Sequence, residues 1–453
     1  MHLPKIAIIG IVTVLTAAGC RCPSSCCLPA TPCVPCNLEH TAGESGPPDL
    51  MHVVPECPSA DCVLQPLPAP SAVYHRLTPA DCQCRAVANA GIANMVDLEE
   101  HWASVIIECD SRIVQQNLCL QRDLLDLHAA DVRNKAAAAA MESYYQLAGL
   151  EARKYYLNMA LDETRSSVER ADKLREQGLP AEIDRDALEV QLRDLEDQRL
   201  QLEYARIQLN GQLQKLLGCP VSEYSFFWPE VDWTPNMATI DADAELASGL
   251  PNRFDVRGIE LVLCNLEKST LRVARGVLGV ADGTLGTVEP TEGIIHRLRC
   301  IRCSHHEVDV RCRQLWILHH DTEQLATAEI KGAVYQVVLQ QQRVALSRQT
   351  VEERRANLHA MTARRDVDDT AVFEITQARG RLYDAESDLI EQVASLRIAE
   401  VGMRKAQAAL AAECGFTPKL CCEGCCDGAC MRCQARTCKP GELPCRCEKC
   451  CRK

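Results

Sequence analysis

The feature that most constrains this chain is a heptad spacing of apolar residues that recurs along its length. In residues 182–217, leucines fall on one seam with alternating steps of three and four, the spacing of a helix packed against a partner helix. That seam contains Leu188, Leu192, Leu195, Leu202, Leu209, Leu213 and Leu216, with Arg199 and Arg206 at the two remaining positions. A second partial stripe with Leu200, Ile207 and Leu217 suggests neighbours on both sides of this helix.

Similar stripes occur in two other segments, and each is followed by a break. One stripe runs Ala138, Met141, Tyr145, Ala148, Ala152, Tyr155 and Met159, and Gly178-Leu179-Pro180 then breaks the helix. The other runs Val334, Val337, Val344, Val351 and Leu358, and a polar break over 364–369 precedes an Ala-rich helix over about 370–413. We therefore expect an all-α protein made of two long antiparallel helical hairpins, related by internal duplication.

Composition excludes several classes of function. Aromatic residues make up only 4% of the chain, and the formal net charge of -13 gives no reason to expect nucleic acid as a partner. The sequence has no glycine-rich phosphate loop, no G-x-S-x-G and no credible nucleophile with a base. We expect no catalytic residues, no cofactor and no enzymatic activity.

The first 19 residues are predicted to be a signal peptide. A basic start and an apolar run from Ile6 to Ala18 lead into Ala17-Ala18-Gly19-Cys20, which looks like a bacterial lipobox with Cys20 as the lipidated residue. An ordinary cleaved signal and an uncleaved anchor are the alternatives. Residues 20–77 are rich in Pro and Cys and are expected to form a tether. Thr78 is then the expected N-cap of the first helix, with Pro79 at its first position.

Cysteines are concentrated at the two ends of the chain. Of the 29, six lie within 20–36 and eleven within 421–451. Repeated C-x-x-C spacing in the tail predicts disulfides or bound metal, with disulfides favoured outside the cytosol. A weaker metal candidate lies at Cys300, Cys303, His305 and His306, where a disulfide or unpaired thiols are the alternatives. The aromatic residues Phe226, Phe227, Trp228 and Trp233 are expected to cap the helix bundle as a small satellite core.

The order of the motifs resembles the TolC-like outer-membrane factor family, which contains two copies of a helical repeat. The first repeat offers Arg170 and Leu174, the Gly178 turn and a closing Leu216-Leu217-Gly218. The second offers Arg354 and Leu358 and closes with Glu413-Cys414-Gly415, and Arg253-Phe254-Asp255 resembles the family's Arg-Pro-Asp. The predicted regions are signal 1–19, tether 20–77, first repeat 78–218, connector 219–253, second repeat 254–417 and Cys-rich tail 418–453.

The resemblance implies a homotrimer that works with a periplasmic adaptor and an inner-membrane transporter. Arg170, Leu174, Gly178, Arg354 and Leu358 are then the helix-tip residues that dock the adaptor. Alternatively, the leucines are seam positions and the arginines are simply solvated. Location at the outer membrane or the periplasmic face of the envelope, held by lipid, is also implied.

The family's strand hairpins are expected to be reduced or lost in this chain. Such strands need alternating apolar and polar residues with aromatic girdles, yet no aromatic residue lies between Trp102 and Tyr144 or between Phe254 and Trp316. Two functions therefore stay open. The chain is either a component of an efflux or secretion channel, or a lipid-anchored coiled-coil spacer without channel activity.

Overall fold

The computed structural model describes residues 73–109, 112–177, 185–222, 225–288, 301–364 and 371–420. The short elements are β1 (Val73–Leu77), α1 (Pro79–Ala88), α2 (Gly91–Cys109), β2 (Ser225–Pro229), α5 (Ala242–Gly249), a 3-10 turn (Leu250–Asn252), α6 (Phe254–Cys264), α7 (Leu271–Ala281) and α10 (Leu410–Glu413). The long helices are α3 (Arg112–Glu176), α4 (Arg185–Leu216), α8 (Ile301–Arg364) and α9 (Ala371–Ala406).

Helices α3 and α4 form the first antiparallel hairpin. At 65 and 32 residues they are about 98 Å and about 48 Å long. The leucine seam of α4 faces inward, with Leu188 and Leu213 buried and Leu195 and Leu209 half-buried. The first hairpin is therefore confirmed, although its leucine seam is only partly buried.

Helices α8 and α9 form the second hairpin, which is also confirmed. Val334, Val337 and Val344 are at most 1% exposed along α8. The prediction of a single helix over about 370–413 is wrong, because α9 ends at Ala406 and the short α10 follows. Ala408 between them has a positive φ of 56°, which ends a helix since L-residues rarely adopt it.

The four long helices lie side by side in the order α4, α3, α9, α8. Helices α3 and α9 join the two hairpins, and they approach closely where the Ala394 Cβ would lie 3.4 Å from a Cβ on Gly149. Closer to the end of α3, Arg379 on α9 pairs with Glu163 on α3 at 3.2 Å. Because α9 begins beside the end of α3, the tips of both hairpins lie at the same end of the molecule.

Strands β1 and β2 pair in parallel from Val73↔Ser225 to Leu77↔Pro229. Strand β1 thus occupies the last five residues of the predicted tether, and β1 and β2 are two short strands beside a body of helices. The Tyr144 hydroxyl on α3 lies 3.0 Å from the Leu77 carbonyl and 2.6 Å from the Glu230 carbonyl. These contacts fix the strand pair to the middle of α3.

The helical body begins and ends at neighbouring positions. Thr78 caps α1 as predicted, accepting a hydrogen bond from the Asp81 amide with Pro79 in the first turn. A disulfide joins Cys84 on α1 to Cys414 after α10, with the two Cα atoms 5.2 Å apart. Not all cysteines outside the tails are peripheral, since Cys82 is fully buried in the core. Among the helices of the described ranges, none has both the length and the apolar character that crossing a membrane requires.

Candidate functional site: the edge helices and the hairpin tips

Helix α4 forms one edge of the helical layer and carries an exposed apolar row. The row takes alternating steps of three and four. Its apolar members are Val190, Leu200, Tyr204 and Ile207, and the charged residues Arg193 and Asp197 and the half-buried Gly211 fill the remaining positions. Leu200, Tyr204 and Ile207 are 57%, 65% and 50% exposed. The row extends the second stripe expected from the sequence, but Leu217 belongs to the core at 0% exposure. One face of α4 thus packs on α3, and its other face has coiled-coil spacing without a helix covering it in the described parts of the chain.

Helix α8 forms the opposite edge and carries a matching row. Tyr335, Leu339 and Leu346 are 65%, 41% and 63% exposed, and the row continues upward to Ile317 and Val310. The valine seam that faces α9 lies on the other side of the helix. Sequence reasoning missed this second row because the buried valine seam dominates the pattern of α8.

The two rows lie at the same height above the hairpin tips. Leu200 and Ile207 are about 22 and 33 Å from the start of α4, and Leu346 and Leu339 are about 27 and 38 Å from the end of α8. The two helices run in opposite directions, so the edges of neighbouring copies can meet as an antiparallel pair. An edge contact of this kind joins two different surfaces and is heterologous.

Helix α2 continues the α4 edge away from the tips. Asn89, just before α2, donates a hydrogen bond from Nδ2 to the Leu217 carbonyl at the end of α4, at 2.9 Å. Ile92, Met95 and Trp102 on α2 are 61%, 62% and 52% exposed. The apolar edge therefore extends beyond α4. It lies on the side of the layer opposite Ile317 and Val310, which form the upper row of α8.

A buried ionic network holds the strand pair against the first hairpin. Arg206 on α4 bonds Glu151 on α3 and pairs with Glu203 at 3.0 Å, and Lys154 also bonds Glu203. The Arg206 guanidinium donates to the Tyr74 hydroxyl at 2.6 Å. All four charged residues are between 5% and 6% exposed. Two cations balance two carboxylates, so the network buries no net charge.

The pKa shifts in this network follow from burial and pairing. Burial alone would raise the pKa of Glu203, but the Arg206 and Lys154 cations outweigh it and leave the pKa below its ordinary value. The pKa of Tyr74 is raised, because burial of its phenol outweighs the nearby Arg206 cation. The sequence offered one signal for the network, Arg206 at an inward heptad position. It offered none for Glu151 and Lys154.

The aromatic connector lies beside this network. Phe226 and Trp228 form a small cluster with Tyr74, and the Arg206 guanidinium lies 4.3 Å from the centre of the Phe226 ring. Phe227 instead joins the main core around Tyr144, and Trp233 packs near α9. The expected satellite core is confirmed for Phe226 and Trp228.

The predicted tip residues are partly described. Arg170 is exposed six residues before the end of α3, and Arg354 is exposed ten residues before the end of α8. Leu358 is half-buried against the seam of α9. Gly178 lies outside the described residues, as does the side chain of Leu174. The two arginines therefore lie on the same end of the molecule, while Leu358 fits the alternative of a seam position.

The candidate metal residues are not assembled by the described part of the chain. His306 is exposed on α8, whereas Cys300 and the side chains of Cys303 and His305 lie outside the described residues. Within those residues, no group of three His, Cys, Asp or Glu side chains is placed to hold a metal ion. Cys20 and the tail from Cys421 onward also lie outside the described residues.

The fold is an elongated layer of two duplicated helical hairpins, and solved structures share it. The chain is similar to CusC, a protein studied for its folding and transmembrane channel formation, with a TM-score of 0.55 at 12% identity over 73% of this chain and 91% of that one. The outer-membrane channel OprN gives a TM-score of 0.49 at 17% identity over 66% and 71%. The CmeC outer-membrane channel of Campylobacter jejuni gives 0.48 at 12% identity over 66% and 67%. No protein-family model and no curated protein matches the sequence. The chain has the fold of the TolC-like outer-membrane efflux channels.

Proposed function

We propose that this protein is a non-enzymatic component of an outer-membrane efflux or secretion channel, in which copies assemble edge to edge into a helical tube. The observation that carries the proposal is the pair of exposed apolar rows on opposite edges of the layer, at α4 and α8. Exposed apolar side chains at heptad spacing are typical of a helix–helix interface. In a chain with the channel fold, these rows would form the contact between neighbouring copies.

A heterologous contact closes into a ring when the rotation between copies divides a full turn. Three copies would bring six hairpins together, as the resemblance to the TolC-like family implies. The upper row of α8 would then meet α2 of the next copy, and its lower row would meet α4. We expect a homotrimer on these grounds.

The hairpin tips are the proposed contact with partner proteins. Arg170 and Arg354 are exposed at the same end, where a periplasmic adaptor of an inner-membrane transporter would dock. Gly178, Leu174 and Leu358 complete the proposed docking set by family resemblance. Replacing both arginines with glutamate is expected to reduce adaptor binding in a pull-down while leaving the oligomer intact, and unchanged binding would remove the tips from the proposal.

The proposed attachment to the outer membrane is acylation of Cys20 on the periplasmic side of the envelope. Acyl chains partition into the bilayer and hold a protein without any spanning segment. We expect Cys20→Ser to abolish acylation and release the protein from membranes. Mass spectrometry that finds an unmodified mature N-terminus in the native protein would contradict this.

Single-channel conductance of the purified oligomer in lipid, together with its mass by native mass spectrometry, tests the central proposal. A trimer with discrete conductance steps supports a channel. An oligomer without conductance favours the spacer instead. A monomer at micromolar concentration would contradict edge-to-edge assembly.

A further inference from the structure

The disulfide between Cys84 and Cys414 joins the first helix of the body to the point where the chain leaves it. The two cysteines are 330 residues apart in sequence. Cys84 is exposed on α1, and Cys414 is half-buried directly after α10. A dissolved thiol can therefore approach the bond from the Cys84 side.

The chain before Cys414 is firmly held without this bond. Leu410 and Ala411 are fully buried. The Leu410 amide donates to Asn134 Oδ1 at 3.1 Å, and the Leu410 carbonyl accepts from Gln83 Nε2 at 2.9 Å. Burial and hydrogen bonding keep α10 on the body whatever the state of the cysteines.

The chain after Cys414 is held by a mixture of buried and exposed contacts. Pro418 is buried, and Leu420 is half-buried against the core. Phe416 is 36% exposed, and its ring lies 4.9 Å from the Arg133 guanidinium. The Lys419 amide donates to Asp126 Oδ2 at 2.5 Å, while Gly415, Thr417 and Lys419 are exposed. The exposed part of the segment opens at lower free energy than the buried turn of α10.

We propose that Cys84–Cys414 is a redox clasp that holds the 415–420 segment on the body. Reduction then releases this segment. The clasp thereby couples the packing of 415–420 to the thiol balance of the compartment. This inference is independent of the proposed channel function.

The chemistry is thiol–disulfide exchange with a dithiol. One thiolate of the dithiol attacks the accessible Cys84 sulfur and forms a mixed disulfide, and Cys414 leaves as a thiolate that takes up a proton. The second thiol of the reductant then attacks the mixed disulfide and frees Cys84 as a thiol. Two electrons pass from the dithiol to the cysteine pair, and the dithiol becomes a disulfide. Exposed disulfides are the ones most open to this exchange.

Hydrogen exchange of the full chain, followed by mass spectrometry, tests the clasp. The double variant Cys84→Ser, Cys414→Ser is compared with the oxidised wild type, and Cys264→Ser, which removes an exposed thiol elsewhere, is the control. We expect peptides covering 415–420 to exchange at least tenfold faster in the double variant only. Peptides from α3, α9 and α10 should exchange at wild-type rates.

Two results would overturn the proposal. Unchanged protection over 415–420 would mean that the noncovalent contacts alone hold the segment. Loss of protection across α3 and α9 would mean that the disulfide stabilises the whole fold. A second measurement uses the wild type and needs no variant. Titration with dithiothreitol should expose Cys84 and Cys414 to alkylation in parallel with the faster exchange of 415–420. Alkylation of both cysteines without reductant would contradict the clasp.

Discussion

Gly218 at the end of the first hairpin lies directly against Asn89 at the end of α1. A Cβ on Gly218 would stand 2.8 Å from the Asn89 Cβ, and Gly218 has a φ of +71°. The second repeat closes on Gly415, after α10, with a φ of +83°, and no atom outside its chain neighbours lies within 4 Å of a Cβ there. The two repeats therefore end in the same backbone conformation, and only the first end is tightly packed.

Replacing Gly218 with alanine should destabilise the protein more than replacing Gly415. Both changes carry the left-handed backbone penalty of about 1–2 kcal/mol. Gly218→Ala adds a clash with Asn89, so we expect a total cost of about 2–4 kcal/mol there. Urea denaturation of the two variants measures the difference. Equal costs would show that Asn89 moves aside freely.

Breaking the buried network should cost far more than breaking an exposed ion pair on the same helix. Glu203→Gln leaves Lys154 and Arg206 short of a carboxylate, which we expect to cost about 3–5 kcal/mol. Glu196→Gln is the matched control, since Glu196 and its partner Arg165 are 43% and 42% exposed in their side chains. Its cost should be below about 1 kcal/mol. Similar urea midpoints for the two variants would mean that water reaches the network.

The same network predicts a loss of stability in acid. The folded-state pKa of Glu203 lies below its ordinary value of 4.5, so the folded protein holds the carboxylate more strongly than the unfolded chain does. Its contribution is present above that value and declines as the pH falls from there toward the lowered pKa. Wild type should therefore lose more stability than Glu203→Gln between about pH 5 and about pH 3. Parallel profiles for the two proteins would argue against the lowered pKa.

His319 predicts the opposite sign of pH dependence. Its hydrogen bond with Glu260 raises its pKa above the ordinary 6.5, although burial opposes the shift. The stabilisation is fully present below about pH 6.5 and is lost as the pH rises through the raised pKa. His319→Gln should remove up to about 1 kcal/mol at pH 6 and almost nothing at high pH. Thermal melts of this variant and of the exposed neighbour variant His320→Gln check the assignment.

Charges on the edge rows should abolish self-association and then restore it in combination. Leu200→Lys with Ile207→Lys changes the α4 row, and Leu339→Glu with Leu346→Glu changes the α8 row. Each pair should weaken association at least about 100-fold, because two apolar side chains are lost from the contact. A chain carrying all four changes should associate again, since lysines then face glutamates. Sedimentation velocity measures each case, and Val280→Lys, at a residue on α7 that is 37% exposed and belongs to neither row, is the control.

Much of the helical framework could be predicted from the sequence, because heptad seams and turn residues are local signals. The Leu188–Leu216 seam, the Thr78 cap and the closing Gly218 were all readable in this way. The β1–β2 pairing was missed because it joins segments about 150 residues apart and neither strand alternates clearly. The break at Ala408 was missed because no Gly or Pro marks it.

The candidate site was less accessible to sequence reasoning. When a helix carries two apolar stripes, the sequence does not tell which one stays exposed. That depends on which helices pack together. The α4 row was visible as a second stripe, whereas the α8 row was hidden behind stronger apolar positions. The partners of Arg206 could not be inferred, because Glu151 and Lys154 come from another helix at no fixed spacing.

The exposed rows on α4 and α8 also bear on how the protein is produced in the cell. If copies assemble edge to edge as proposed, a lone chain leaves half of two helix–helix seams in water, and assembly stabilises its folded state by mass action. Before assembly, these exposed apolar rows can bind other proteins nonspecifically. Yield of the assembled form should therefore rise steeply with expression level at first, and chains that never find a neighbour should be the main substrate for envelope proteases.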